Sequence, residues 1–333
     1  MLPGWRPVRD FRFGTGRGQL TRALVTGGQG FIGGHLVRAL LARGDEVTVL
    51  DLPSAPGSAL ALHGLEREVE LIEGDVADRA AVDRAMEGAD AVFHLAARTL
   101  VGPAADDPLG TFRTNVEGTW TVLEAARSAG PGAVVVASSD KAYGPSDALP
   151  YSEGDELRPA ATYEGSKAAA DVIARSYWDS WQLPVAVTRL ANVYGGGDLN
   201  ASRLVPEAAS AFLSGRAPKI RSDGSPRRDF LHVSDAVAAY LAVEDAVARG
   251  PGRGEALNAG TGTARSVREL IDLIREKAGS GLDPAYEGEG SPPGEIDEQC
   301  VDPSKLAGLT GWAAEVSLDD GVGEAVEWYR RHR

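Results

Sequence analysis

Tyr163 and Lys167 stand four residues apart in Tyr163-Glu164-Gly165-Ser166-Lys167. On a helix that spacing puts both side chains on one face. A phenol titrates near pH 10, so a tyrosine acting as a base near neutrality needs its pKa lowered by roughly two to three units. An adjacent ammonium and a second positive charge nearby can lower it. A hydroxyl partner lies upstream: the apolar run Ala133-Val134-Val135-Val136-Ala137-Ser138 delivers Ser139 at its end. A Tyr-x-x-x-Lys pair alone is common by chance, and Ser139 alone reads as a strand-terminal cap. Their position after a second, glycine-rich feature gives them meaning.

That feature is Thr26-Gly27-Gly28-Gln29-Gly30-Phe31-Ile32-Gly33-Gly34-His35-Leu36. The apolar strand Ala23-Leu24-Val25 runs into it, and a helical pattern (Ile32, Leu36, Val37, Leu40, Leu41) runs out. Gly27, Gly30 and Gly33 therefore sit at a strand-to-helix turn. A side chain there would block approach of a pyrophosphate to the backbone. The helix N-terminus offers free N–H groups and partial positive charge to that phosphate. A second strand, Glu46 to Leu50, ends in Asp51, where a ribose-binding carboxylate belongs. A third, Val69 to Ile72, ends in Gly74-Asp75-Val76. The three together read as a dinucleotide site. Asp51 selects NAD over NADP, because a carboxylate repels a 2′-phosphate.

The elements that position these groups alternate. Strands are predicted at Ala23–Thr26, Glu46–Leu50, Val69–Ile72, Ala91–Leu95, Ala133–Ser138 and Val185–Leu190. Helices are predicted near Gly30–Ala42, Arg79–Met86, Pro108–Ser128 and Thr162–Trp181. Alternation of this kind makes an α/β fold, a Rossmann-type doubly wound parallel sheet, with ligands at the strand C-terminal edge. Gly27, Asp51, Asp75, Ala96 and Ser139 all fall at or just past strand ends. Residues 21–190 are expected to form the dinucleotide-binding domain and residues 191–333 a smaller, mainly substrate-binding α/β region. In that region helices are expected near Leu204–Leu213 and Asp235–Val247, and a short strand around Lys219–Arg221. Ser266-Val267-Arg268-Glu269 reads as a capping box, Tyr286–Ile296 as loop, and Ser317 opens the last helix.

The net charge of −14 over 333 residues argues against nucleic acid and anionic membranes as partners. A single cysteine, Cys300, excludes an internal disulfide framework and builds no zinc site by itself. No metal is expected, and no apolar run reaches membrane-spanning length. Residues 1–20, with Arg6, Arg9, Arg12 and Arg17 and no apolar core, are not a secretory signal. They are expected to be a disordered tail or an extension upstream of the domain. A cytoplasmic location follows.

From about residue 21 to its end, the chain resembles the extended short-chain dehydrogenase/reductase family, in its NAD-dependent epimerase/dehydratase branch. The resemblance rests on Thr26 to Gly33, Asp51, Gly74-Asp75-Val76, His94-Leu95-Ala96-Ala97 and Asn115-Val116-Glu117-Gly118-Thr119. It continues through Ser138-Ser139, Tyr163 to Lys167, Arg189 to Gly195, Arg228-Asp229-Phe230-Leu231-His232-Val233 and Gly311-Trp312. It implies NAD held by Gly27, Gly30, Phe31, Ile32, Gly33, Asp51, Asp75, Val76, Leu95, Ala96, Ala97, Asn115, Tyr163 and Lys167. It implies a nucleotide diphosphate hexose as substrate, with Asn192 and Arg228 on the diphosphate side and Arg203 among the substrate-binding residues. It also implies a homodimer pairing the segments near Pro108–Ser128 and Thr162–Trp181. Carried over, Tyr163 takes the proton of the sugar 4-hydroxyl, Ser139 hydrogen-bonds the 4-oxygen, and Lys167 tunes Tyr163, with the nicotinamide ring as the second positive charge.

The step after C4 oxidation turns on Asp140 and Lys141. In sugar-nucleotide 4,6-dehydratases these positions hold the acid and base that remove water across C5 and C6. Asp followed by Glu is the common form; Asp followed by Lys resembles CDP-glucose 4,6-dehydratases and some inverting UDP-N-acetylglucosamine dehydratases, and 4-epimerases usually carry small or uncharged residues there. A ketone at C4 makes the C5 proton acidic, so Lys141 can take it once desolvation lowers its pKa, and a protonated Asp140 can serve the leaving C6 hydroxyl. The alternative for the pair is an exposed ion pair worth little. Arg228, likewise, reads either as a diphosphate ligand or as a surface partner of Asp229. Two departures stand against the closest match. Arg228 to His232 has the general epimerase form, and Pro292 replaces an arginine that many relatives carry before Pro293-Gly294. The leading expectation is a 4,6-dehydratase. A 4-epimerase, a decarboxylase and a non-enzymatic NAD-binding regulator are the alternatives.

Overall fold

A computed structural model of the protein describes residues 21–53, 57–291 and 295–332. The tail expected at residues 1–20 and the segment Pro292-Pro293-Gly294 lie outside the described residues.

Strands β1 (Arg22–Thr26), β2 (Glu46–Asp51), β3 (Glu70–Glu73), β4 (Ala91–His94), β5 (Ala133–Ser139) and β6 (Val185–Leu190) appear where the apolar runs predict them, within a residue or so. Beyond them come β7 (Asn192–Tyr194), β8 (Lys219–Ile220), β9 (Arg227–His232) and β10 (Ala256–Ala259), and then β11 (Ala264–Ser266), β12 (Ala285–Tyr286) and β13 (Glu298–Gln299). The helices are α1 (Phe31–Arg43), α2 (Ala59–His63), α3 (Arg79–Met86), α4 (Val101–Asp106), α5 (Pro108–Phe112), α6 (Gly118–Ala129) and α7 (Thr162–Trp181). They continue as α8 (Leu204–Leu213), α9 (Val233–Arg249), α10 (Val267–Ala278), α11 (Ser304–Thr310) and α12 (Leu318–Arg331).

The main sheet is parallel throughout, in the order β10-β6-β5-β4-β1-β2-β3. Its strands read as unbroken apolar runs because helices cover both faces. On one face Val25, Phe93 and Val135 pack against Leu36, Leu40, Val237 and Tyr240 of α1 and α9. On the other, Leu24, Val92 and Val134 pack against Val82, Val122, Ala126 and Ala174 of α3, α6 and α7. The strand order reverses between β1 and β4, and the crevice at their C-terminal ends is the ligand position of such sheets.

The seventh strand, β10, returns from beyond residue 190 to pair with β6, and α9 packs on the same sheet. Its sequence, Ala256-Leu257-Asn258-Ala259, has no β-branched residue and gives little strand signal. The helix expected near Pro108–Ser128 is interrupted. α5 passes into a π-helical turn, Arg113–Glu117, before α6 begins. The C-terminal elements make a small sheet, β11-β9-β13 with β7 on β9, beside a helical cluster in which Phe212, Leu270, Ile274 and Val326 of α8, α10 and α12 meet. The capping box is present: Ser266 Oγ accepts the Glu269 N–H at 3.1 Å, and Glu269 Oε2 accepts the Ser266 N–H at 2.7 Å.

Candidate active site

A cavity of about 980 Å³ lies along the C-terminal edge of the main sheet, between it and the β7–β9 region. At its floor β1 turns into α1. Gly27 has φ +75°, and a Cβ there would strike the Ala96 backbone; a Cβ on Gly33 would overlap the Gly27 carbonyl. Gly30 caps α1 with no side-chain cap among the described residues, so the first N–H groups of the helix face the cavity unshielded. Such a cradle admits a pyrophosphate and excludes side chains. Phe31, Ile32, Asp75, Val76, Leu95, Ala96 and Ala97 line the same wall. Asp51, at the end of β2, accepts the Gln29 and Leu52 backbone N–H groups, each at 2.8 Å. Burial raises its pKa, and those two hydrogen bonds oppose the rise. These residues fit a bound NAD.

Asn115 is the exception among the residues expected at the cofactor. It sits in the π-helical turn, is buried, and does not line the cavity. Its amide accepts the Arg98 N–H at 2.7 Å and donates to the Arg98 carbonyl at 3.0 Å and to Ser166 Oγ at 2.8 Å. Wide π turns reorient side chains. This one aims Asn115 at the back of the 95–98 loop, which it ties to α7.

The chemical groups gather at the end of β5 and the start of α7. Ser139, Asp140, Lys141, Tyr163 and Lys167 all line the cavity. Lys167 is buried and donates from Nζ to the Ala137 carbonyl at 2.8 Å. Burial lowers its pKa to about 8. Tyr163 departs from expectation. Burial, and then the nearby Asp140 carboxylate, push its phenol up to about 12, against the Ser139 hydrogen bond and the Arg203 charge. The lowering expected from Lys167 does not appear: burial dominates, and the nearby Asp140 carboxylate adds to it. Asp140 and Lys141 are not an exposed ion pair. They open a 3-10 turn, Asp140–Tyr143, capped by Ser139. Asp140 is 1% exposed, and its Oδ2 has no hydrogen-bond partner among the described residues. Burial raises the Asp140 pKa, and burial lowers that of Lys141.

Asn192, Arg203 and Arg228 line the opposite side. Asn192 Nδ2 is buried with no partner among the described residues. Arg203 donates to Asp198 Oδ2 at 3.0 Å and to Thr99 Oγ1 at 3.1 Å, joining the two walls. Arg228 does not pair with Asp229. Consecutive strand residues face opposite ways, and Asp229 instead accepts from the Thr261 N–H and hydroxyl. Arg228 is buried, donates to the Arg227 and Asp297 carbonyls, and lies 3.6 Å from the Glu295 carboxylate.

Residues 23–260 match the NAD dependent epimerase/dehydratase family. The chain belongs to this family. A dTDP-glucose 4,6-dehydratase of Streptomyces griseus is 36% identical over 321 residues, covering 94% of this chain and 95% of that protein. A UDP-glucose 4-epimerase of Mycolicibacterium smegmatis is 36% identical over 318 residues, covering 93% and 98%. The crystal structure of a dTDP-glucose 4,6-dehydratase from Streptomyces venezuelae, with NAD and TYD bound, is similar with a TM-score of 0.85 at 32% identity, covering 94% of this chain and 98% of that one. The protein is thus an NAD-dependent enzyme of nucleotide-sugar chemistry, in the dehydratase/epimerase group.

Within this epimerase/dehydratase frame, two residues escape a reading of the sequence. Glu295 enters the cavity between Arg228 and Arg221, at 3.6 and 3.8 Å. Gln299 accepts a hydrogen bond from Lys141 Nζ at 3.0 Å. Nothing local marks Gln299, which is brought in by pairing of the two-residue strand β13 with β9; Glu295 lies just upstream of that strand. Among the described residues no group of three or more His, Cys, Asp or Glu side chains can hold a metal ion, and no helix is long and apolar enough to cross a membrane.

Proposed function

We propose that this protein is a nucleotide-sugar 4,6-dehydratase, converting a nucleoside diphosphate hexose into its 4-keto-6-deoxy derivative. The observation that carries this is the pair behind Ser139: a buried carboxyl shifted toward its protonated form and a buried amine shifted toward its neutral form. An acid and a base are thereby separated by environment alone.

NAD would rest on the Gly27–Gly33 turn, Asp51 and the Leu95–Ala97 edge, and the chemistry it supplies when bound is reversible hydride acceptance. The protein's own groups handle the protons. Tyr163 takes the proton of the 4-hydroxyl while Ser139 hydrogen-bonds the 4-oxygen. A phenol held at about 12 needs positive charge beside it to act near neutrality. The upward shift of Asp140 helps, because a carboxyl moved toward its protonated form opposes the phenolate less. With C4 a ketone, the neutral Lys141 amine takes the C5 proton and Asp140 protonates the departing C6 hydroxyl. Arg228 and Arg203 offer guanidinium groups to the diphosphate, and Asn192 offers an unused donor.

A 4-epimerase is the second reading, favoured by the relative of that name. It needs Ser139, Tyr163 and Lys167 but has no use for an acid and a base buried behind them. Incubating the NAD-loaded protein with a panel of nucleoside diphosphate hexoses separates the two. A product lighter by one water supports dehydration. A product of unchanged mass with C4 inverted overturns it. The same reading includes a homodimer through α5–α6 and α7, whose outer surfaces expose Leu109, Phe112, Trp120, Val172 and Trp181. Light scattering on the purified protein tests that.

A further inference from the structure

We infer that Gln299 is the positioning residue for the Lys141 amine: its side-chain carbonyl, fixed on β13 beside Arg228, holds Nζ at the wall of the cavity. The inference rests on the dehydratase reading, since only there does Lys141 carry a proton.

The geometry begins with register. β13 pairs with β9 in parallel, so Gln299 lies beside Arg228 and Glu298 beside Arg227. Alternation then separates two faces. Arg227 and Glu298 meet on the outer one at 3.2 Å. Arg228 and Gln299 occupy the inner one, where Gln299 is 0% exposed. Its Oε1 accepts from Lys141 Nζ at 3.0 Å across 158 residues of chain. Its Nε2 has no partner among the described residues. An amide half-satisfied in the interior costs free energy that an apolar residue of similar size would avoid. A glutamine kept there at that cost, against the one lysine of the site that is to act as a base, has a task.

The task follows from hydrogen-bond inventory. A lysine donates in both protonation states, but only the neutral amine has a lone pair. Spending one N–H on Gln299 fixes Nζ while leaving that lone pair available to a substrate proton. A carboxylate in the same place would grip the ammonium form and spoil the base. The charges facing Lys141 are Asp140, Glu295 and Glu164, which favour the ammonium, and Arg228, which opposes it. Asp140 is itself shifted toward neutrality, and Glu295 is shared by Arg228 and Arg221. A neutral acceptor at 299 adds no further negative charge to these, and burial stays the largest influence on the amine, favouring its neutral form.

The test uses the NAD-loaded protein, Gln299→Glu and Gln299→Leu, with whichever panel substrate the wild type dehydrates. Two quantities are read: near-ultraviolet absorbance of the reduced cofactor, which follows C4 oxidation, and water loss by mass. Gln299→Glu is isosteric and introduces a charge. It is expected to move the alkaline-going limb of the water-loss pH profile upward by about one unit or more, with C4 oxidation retained. Gln299→Leu is expected to lower water loss about tenfold or more, to let reduced cofactor accumulate, and to leave KM near the wild-type value. Should Gln299→Leu not fold, the profile of Gln299→Glu decides. An unmoved profile in Gln299→Glu overturns the assignment while leaving the dehydratase reading intact. A wild type that oxidises C4 and never releases water overturns both.

Discussion

The Ser139 hydroxyl donates to Oδ1 of Asp140 at 3.0 Å, so the residue proposed to meet the sugar 4-oxygen also touches the carboxyl proposed for the C6 side. The same hydroxyl accepts the Lys141 backbone N–H at 3.2 Å. On the proposed reading, one side chain sets the spacing between oxidation at C4 and elimination across C5 and C6. Replacing Asp140 by Asn keeps this contact in shape but removes the transferable proton. Asp140→Asn is expected to retain C4 oxidation and to lose water about a hundredfold more slowly or worse. Rapid mixing, with cofactor absorbance and product mass read together, checks it. Equal slowing of both steps would mean that Asp140 is a structural support for Ser139 only.

Lys167 carries its charge at a cost to the fold. Its pKa is about 8 in the folded protein against 10.5 for the free side chain. Between those values the unfolded chain binds more protons, so stability rises with pH. Lys141, lowered by the same cause, adds in the same direction. Tyr163, held at about 12 against 10.0, works the other way, but only above pH 10.0. Denaturant unfolding is therefore expected to show wild-type stability climbing from about pH 8 to pH 9, above which the buried Cys300 thiol, raised from 9.0 to about 12, works against the climb; the full Lys167 share is up to about 3 kcal/mol. Lys167→Met is expected to flatten that climb, to be more stable than the wild type near neutral pH, and to be inactive. If the two proteins follow parallel stability curves, the buried ammonium is not the cause.

What the sequence makes legible is what repeats or what only one residue type can do. The parallel strands are readable because helices on both faces demand unbroken apolar runs such as Val134-Val135-Val136. The Gly27–Gly33 turn is readable because no Cβ fits at Gly27 or Gly33. β10 is not: its Ala-Leu-Asn-Ala stretch draws its strand character from β6, a tertiary effect. The π-helical turn at Arg113–Glu117 has no compositional mark, so Asn115 was expected at the cofactor and is found behind the 95–98 loop. Gln299 reaches the site through a two-residue strand, too short to leave a pattern, and Glu295 from the stretch just before it. The direction of the Tyr163 shift depends on burial, which no local spacing reveals.

We propose that Asp51 sets which dinucleotide the cofactor site prefers. Both its oxygens are occupied by backbone N–H groups of Gln29 and Leu52, which fixes the carboxylate at the end of β2. A ribose 2′-hydroxyl can donate to it, whereas a 2′-phosphate meets like charge. Asp51→Asn removes the repulsion and weakens the acceptor, worth about 1.5–3 kcal/mol for a bond to a charged group. NAD affinity is expected to fall roughly tenfold to a hundredfold while that for NADP rises or holds, so the preference narrows from both sides. Calorimetric titration of each dinucleotide reads this directly, and an unchanged ratio would remove Asp51 from the ribose.

Arg189 and Asp171 form the buried ion pair on which the Asp140–Tyr143 turn rests. Arg189 Nε and Nη2 donate to the two Asp171 oxygens at 2.8 and 3.0 Å, and both side chains are at most 1% exposed. Burial pulls the guanidinium pKa down, and Asp171 more than reverses it, so the charge stays. Nη1 donates to the Tyr143 hydroxyl at 2.8 Å, which in turn donates to Asn258 Oδ1 at 2.8 Å. The network thereby ties β6, α7 and β10 to the last residue of the Asp140–Tyr143 turn. Asp171→Ala leaves the guanidinium buried with no carboxylate on Nε or Nη2, and is expected to cost about 3–5 kcal/mol of stability. Replacing both partners, as Asp171→Leu with Arg189→Met, removes the stranded charge and is expected to recover most of that loss. Catalysis is not expected to recover with it, because Arg189→Met takes away the donor to the Tyr143 hydroxyl and the turn bearing Asp140 and Lys141 loosens. Urea unfolding of the three variants, followed by turnover of the refolded proteins, distinguishes these outcomes. A double variant no more stable than Asp171→Ala would mean that shape, and not charge, holds this corner of the fold.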